Sequence, residues 1–313
     1  MPTPIQPTTT NTHISTGFGK LLEPGLRKIF FETYAEVPEQ FSKVFNVDTS
    51  DKAKETDYGL GAFGDWKKRT GELDTVDYQT IKAGTERTYV HNAFTSGFMI
   101  GRELYDDEQY RQINKFPKSL ARAGRSFVEK DVASFLVKAF DKTQQPIFDA
   151  EALISATHPL INSTKKGSNL ATGALTPDNL KNAMRIMRET VDEAGNLISS
   201  HAKKLVVPPA LEFKAKEILH STQIADSELN NANSLKGTLD VVVYEYIGAA
   251  AGGSDTAWFL IDPSYCELNF FWRKKPEFKS AEDFDTFVAK YRGYMRYSYG
   301  ASDWRGIVGS KGV

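Results

Sequence analysis

The stretch from Asp106 to Lys142, DDEQYRQINKFPKSLARAGRSFVEKDVASFLVKAFDK, decides how the rest of the chain is read. Its apolar residues Ile113, Phe116, Leu120, Ala123, Phe127, Phe135, Leu136 and Ala139 recur mostly at steps of three and four. That spacing puts them in a stripe along one helical face. Lys118, Arg122, Arg125, Glu129, Lys130 and Lys138 fall on the other face. Pro117 has no amide to donate, so it is expected to kink or interrupt the first turns. Gly124 weakens the middle by about 1 kcal/mol relative to alanine. A helix over 118–142 spans about 37 Å at 1.5 Å per residue. This is longer than a typical globular helix needs to be, and two readings stay open: a core helix of an α+β domain, or a spine that carries an extended subunit, with the flanking segments to decide.

Composition narrows the class. The chain has 313 residues, enough for one large domain or two ordinary ones. Its 39 basic and 40 acidic residues nearly cancel, which gives no bias toward DNA or an anionic membrane. The single cysteine, Cys266, excludes an internal disulfide framework and fits a reducing compartment. Its neighbourhood, Tyr265 to Leu268, reads as a strand with a packed thiol. Nowhere does the chain hold an apolar run long enough for a transmembrane helix. Met1 to Thr12 lacks the basic start and apolar core of a signal peptide. This polar, Pro/Thr-rich stretch is expected to be extended or disordered unless a partner orders it.

From Ser15 to Phe45 the pattern is helical, with Leu21, Leu22, Leu26, Ile29, Phe30, Tyr34, Phe41, Val44 and Phe45. Pro24 and Pro38 are expected to divide it into short pieces. Such an apolar arm needs another surface to lie on, which makes Leu26, Phe30 and Tyr34 candidate subunit contacts. Asp48 to Ile100 is glycine-rich, polar and aromatic. Beyond Thr75 it alternates with period two, as long antiparallel strands do. Lys52 to Asp74 is too polar for a core and reads as a projecting two-stranded loop, an excursion that is usually functional. Phe63, Trp66, Lys67, Lys68 and Arg69 on this loop are further candidate contacts. Gly59 to Gly64 matches G-x-G-x-x-G, but a charged run precedes it and Gly71 soon follows. A dinucleotide loop must follow an apolar strand and open a helix, so the match is discounted.

Beyond the spine, Thr143 to Leu175 is loop-rich. Thr176, Pro177 and Asp178 form a helix start, followed by Leu180, Ala183, Met184, Met187 and Val191 on one face, with Gly195 as the stop. Leu205 to Val207 reads as a buried strand, Leu211 to Leu219 as a helix, and Leu239 to Ile247 and Ala257 to Ile261 as strands. Thr176 to Asp262 is thus an α/β unit. Glu267 to Trp272 reads as a strand. Ser280 with Asp283 resembles a capping box that starts a helix, with Phe284, Phe287 and Val288 facing inward. Tyr291 to Tyr299 alternates as a strand, and the chain ends in Trp304 to Val308. These last strands complete a core only by returning to the spine, so the α/β unit reads as an insertion in a discontinuous domain.

Chemistry is sparse. His13, His91, His158, His201 and His220 have no His or Cys partner at metal-ligand spacing. Neither a G-x-S-x-G elbow nor a P-loop occurs. Lys67 to Arg69 and Arg273 to Lys275 are short basic clusters, ordinarily a solvated face. No enzyme, cofactor or metal is expected.

The order of arm, extended loop, spine helix, inserted α/β unit and return strands resembles the tailed-phage major capsid proteins of the Hong-Kong-97-type fold. It is most similar to the Mu-like major head subunit (gpT) family. Three stretches carry the likeness: Phe98 to Asp107; Leu153 to Ser155 with His158-Pro159, Leu175-Thr176, Leu180 and Ala183-Met184; and Glu193 to Gly195 with Leu205 to Glu212 and Ala257 to Pro263. The resemblance implies an α+β fold with an N-terminal arm (1–47), extended loop (48–100), peripheral domain with the spine helix (101–175), axial domain (176–262) and peripheral return strands (263–313). It implies a structural head protein whose copies form hexamers and pentamers of an icosahedral shell, assembled in the host cytoplasm and resident in the virion. About fifteen polar residues precede the first apolar cluster, so a separate scaffold protein is expected. The implied partners are further copies, that scaffold, a portal, a decoration protein and non-specifically held double-stranded DNA, with no membrane. Crosslinking around Lys67 and Lys68 has no supporting motif. Two alternatives are an encapsulin-type nanocompartment shell protein and an α+β enzyme without a recognisable motif.

Overall fold

The computed structural model describes residues 18–60, 63, 66–71, 75–76, 78, 80, 83–107, 109–143, 147, 149–160, 163–223, 232–283 and 288–313. In chain order the elements are α1 (Phe18–Glu36), β1 (Asn46–Thr49), β2 (Lys54–Leu60), β3 (Ala83–Val90), β4 (Asn92–Gly101), α2 (Arg102–Asp106), α3 (Tyr110–Ile113) and α4 (Lys115–Val137). Then follow β5 (His158–Leu160), β6 (Ser163–Gly167), β7 (Leu170–Ala171), α5 (Pro177–Arg188), β8 (Lys204–Val207) and α6 (Glu212–His220). The chain closes with β9 (Asp240–Val243), β10 (Trp258–Ile261), β11 (Leu268–Asp283), β12 (Val288–Ala301) and β13 (Ile307–Ser310). One sheet has the order β1-β11-β12-β4 and another β7-β13-β10-β8-β9; β2-β3 and β5-β6 are two-stranded. This is the α+β mixture, with a spine helix, that the sequence leads one to expect.

Two compact units divide the chain. The first is Met1–Val37, Phe94–Arg125 and Pro276–Met295. Its core joins Leu26 and Phe30 of α1 to Ile100, Ile113, Ala121, Phe278, Ala289 and Tyr291. Aromatic rings set the contacts: Phe30 stacks on Phe278 at 5.2 Å and Phe98 on Tyr291 at 5.1 Å. At Gly97 an added Cβ would lie 2.4 Å from the Tyr291 carbonyl oxygen, so only glycine lets the strands approach this closely.

The second unit is Pro38–Ala93, Ser126–Lys275 and Arg296–Val313. Here β8 pairs parallel with β9 and antiparallel with β10, and β10 pairs antiparallel with β13. Leu180, Ala183 and Met187 of α5 and Ala215, Ile218 and Leu219 of α6 pack on Leu205, Val207, Trp258, Leu260 and Val308. Thr176 caps α5, accepting from the Asn179 amide at 3.3 Å, with Pro177 at the first position. β1 runs parallel to β11, with Asn46 opposite Asn269.

Several expectations are corrected. α4 starts at Lys115, and Pro117 sits buried in its first turn, where no amide needs an intrahelical acceptor. The face that α4 buries runs through Ala121, Val128, Val132 and Leu136, with Ile113 buried ahead of the helix and Ala139 just past its end. Phe116 and Phe127, assigned to the core by their spacing, are 37% and 44% exposed. Both rows obey steps of three and four, so periodicity alone does not choose between them. The buried row includes Arg125 and Glu129 because each has a partner. The Arg125 guanidinium lies 4.5 Å over the Tyr34 ring. Glu129 accepts from the Gln40 and Phe41 amides.

Pro24 does not end α1, which continues to Glu36. Pro24 is exposed, so the backbone oxygen it leaves without a donor can face water. No helix starts at Ser280: β11 continues to Asp283, and the Ser280 hydroxyl donates to Glu23 instead of capping. Phe284 and Phe287 lie outside the described residues. α5 ends at Arg188, ahead of Gly195, which takes φ +93° in a turn closed by the Asp192 carboxylate. The strand expected over 239–247 covers Asp240–Val243, followed by a 3-10 turn at Glu245–Ile247. Cys266 precedes β11 and is not within it. β13 joins the α/β sheet beside β10.

Candidate assembly surfaces

The β2–β3 ribbon is antiparallel, pairing Lys54 with Val90 and Tyr58 with Glu86, with a register shift before Leu60 meets Ala83. Beyond it the described side chains stand in solvent. Trp66 is 97% exposed, Tyr78 90%, Val76 70% and Phe63 60%. Lys67, Lys68 and Arg69 are exposed as well. Burial of such large apolar side chains against another molecule would remove apolar area from water, which is favourable. Leu26 and Phe30 differ: both are buried in their own unit's core, and Tyr34 is half-buried beneath Arg125. Leu26 and Phe30 are therefore covered from within the chain.

A polar relay fixes the ribbon's root. Ser302 donates to the Asp57 carboxylate at 2.6 Å, so its oxygen is left to accept from the Tyr89 hydroxyl at 2.5 Å. Phe271 meets Tyr89 edge-on. Burial pushes the Tyr89 phenol above its ordinary range. Gly300 leaves room here, since an added Cβ would lie 2.9 Å from the Tyr89 ring.

Beside the root is a cleft of about 490 Å³ lined by Asp57, Arg87, Glu193, Glu267, Asp303 and Arg305, among others. Arg305 donates to Asp303 at 2.8 Å, Glu193 at 2.7 Å and the Val191 carbonyl at 2.8 Å. This satisfies a buried guanidinium as it must be. Burial, then the like charges of Asp303 and Asp57, push the Glu267 carboxyl up to about 7. The Cys266 thiol is buried and pushed up to about 12, which keeps it protonated and inert. Among the described residues, no three His, Cys, Asp or Glu side chains are grouped to hold a metal. Nor is any helix there long and apolar enough to cross a membrane.

Sequence reasoning missed other exposed apolar positions: Phe213 at 79%, Leu197 at 68% and Met99 at 66%. Phe213 was findable, because it lies off the Ala215, Ile218, Leu219 stripe of α6.

A family model for phage capsid proteins matches residues 85–310, most of the chain. The chain belongs to the phage capsid protein family. Its likeness to individual members is weaker. The major capsid protein of Escherichia phage Mu is 33% identical over 75 residues, 24% of this capsid protein and 25% of that one. The matched stretch thus spans about a quarter of the curated relative's length. Among solved structures, the procapsid of bacteriophage JBD30 superposes with a TM-score of 0.50 at 16% identity, over 93% of this chain and 74% of that one. The mature capsid of bacteriophage PhiM1 gives 0.53 at 14% identity, over 85% and 84%. At such identities the structures establish the shared fold.

Proposed function

We propose that this capsid protein is the major shell subunit of a phage head, self-assembling as hexamers and pentamers into an icosahedral shell around double-stranded DNA. One observation carries the reading: a member of the capsid family holds Phe63, Trp66 and Tyr78, each at least 60% exposed, beyond its β2–β3 ribbon. Copies of the same chain supply the cover. Phe63, Trp66, Lys67, Lys68 and Arg69 are the proposed contacts, the aromatics for buried area and the cations for register. In family terms 1–47 is the arm, 48–100 the extended loop, 101–175 and 263–313 the peripheral domain and 176–262 the axial domain. A separate scaffold protein, a portal and a decoration protein are its further partners, and DNA is held by non-specific contact. The protein is structural and catalyses no reaction. Its site is the virion, with assembly in the host cytoplasm.

Electron microscopy of the purified chain, alone and with a co-expressed scaffold, tests this. Closed shells are expected. A chain that stays monomeric in both preparations overturns it.

A further inference from the structure

His91 is the single residue between β3 and β4, at the root of the ribbon. It is 4% exposed. Its Nε2 lies 3.2 Å from the Ser50 hydroxyl and its Nδ1 2.9 Å from the Ser298 hydroxyl on β12. The direction of these bonds can be read. Ser50 donates its only hydroxyl hydrogen to the Glu55 carboxylate at 2.6 Å, which can only accept. Toward His91 and the Lys52 amide, Ser50 therefore accepts. Nε2 must carry a hydrogen, and in the neutral ring Nδ1 accepts from Ser298. The relay runs one way, from Ser298 through His91 and Ser50 to Glu55, and it ties β12 to the start of the ribbon.

Among the described residues, three charged groups act on the ring. Arg296 of β12 donates to the His91 carbonyl at 3.2 Å, and with Arg273 of β11 it opposes a proton on the ring. Glu55 of β2 favours one. Arg273 is drawn toward Asp51 at 3.7 Å, and Lys52 pairs with Glu55 at 2.9 Å. Burial first, then Arg296, hold His91 below its ordinary value of 6.5. A second proton would force the Ser298 hydroxyl to turn and accept, and would set a buried charge beside two guanidiniums.

We propose that His91 is an acid-sensitive pin that fastens the root of the β2–β3 ribbon to β12 and releases it when the ring gains a second proton. The folded value is depressed, so the pin's contribution is present above 6.5 and is lost as pH falls through the folded value below it. Its consequence for shells rests on the ribbon being an assembly element; the pin itself does not.

The test is amide hydrogen exchange, read by mass spectrometry on the full chain and corrected for intrinsic rates. Segments 46–60 and 83–91 are compared at about pH 7.5 and about pH 5, on either side of the histidine range. Protection of both segments should fall about tenfold at the lower pH, while α5, α6 and β10 keep theirs. His91→Gln, which donates and accepts without titrating, should flatten the response. A wild-type ribbon indifferent to pH, or a variant that keeps the response, overturns the pin whether or not shells form. If His91→Gln does not fold, Ser298→Ala serves: without its donor, Nδ1 should be protonated more readily and the loss should move to higher pH. No upward movement also overturns it.

Discussion

The imidazole of His158 lies flat against the indole of Trp304, ring centroids 4.4 Å apart and planes 3° from parallel. Both residues are buried. His158 Nδ1 is 2.7 Å from the Asp149 carboxylate and Nε2 is 3.0 Å from the Asn169 side-chain oxygen. The Asn169 amide nitrogen then reaches the carbonyls of Leu153, Trp304 and Ile307. At Gly167, the cross-strand partner of His158, an added Cβ would lie 2.3 Å from the indole. One stack and one asparagine thus lock the loop ahead of β5 to the approach of β13. Asn169→Ala strands several buried carbonyls and should cost about 2–4 kcal/mol. Trp304→Ala opens a large cavity and should cost about 3–5 kcal/mol. Denaturant unfolding of the subunit measures both, and changes under about 1 kcal/mol would contradict the lock.

The two faces of α4 separate cleanly by mutation. Phe127→Ala removes a ring already 44% exposed and should cost the subunit under about 1 kcal/mol. Phe135→Ala, at a fully buried ring, should cost about 3–5 kcal/mol. Glu129→Ala leaves the Gln40 and Phe41 amides without their acceptor and should cost about 2–3 kcal/mol. Equal losses at Phe127 and Phe135 in the same unfolding series would show the helix turned the other way.

Because Leu60 pairs with Ala83, residues 61–82 can be exchanged for an Asn-Gly turn that closes the ribbon. Circular dichroism and melting of the subunit should barely change, while shells vanish from micrographs. A shortened chain that unfolds outright would mean the ribbon belongs to the subunit's own core.

Glu267 supplies the pH dependence opposite in sign to His91. Its folded value is raised, so its contribution is complete below the ordinary carboxyl value of 4.5 and is lost as pH rises through about 7. Between about pH 5 and about pH 8 the wild type should lose stability relative to Glu267→Gln. Parallel melting curves for the two proteins across that range would refute the shared acidic cleft.

Sequence alone determined the elements whose signals are local. The Thr176 cap with Pro177 started α5 where expected, and the β-branched and aromatic runs gave β8 and β10. The alternation over 291–299 gave part of β12. Each depends on neighbours within a turn or a pleat, so the residues themselves carry the information. Tertiary structure alone decided which apolar row of α4 is buried, why Arg125 and Glu129 lie in it, and that β13 joins the α/β sheet. It also decided that His91 meets Ser298, 207 residues away. A charge or a helix face is buried only when a partner compensates its lost water. Those partners come from distant parts of the chain, which no local period encodes.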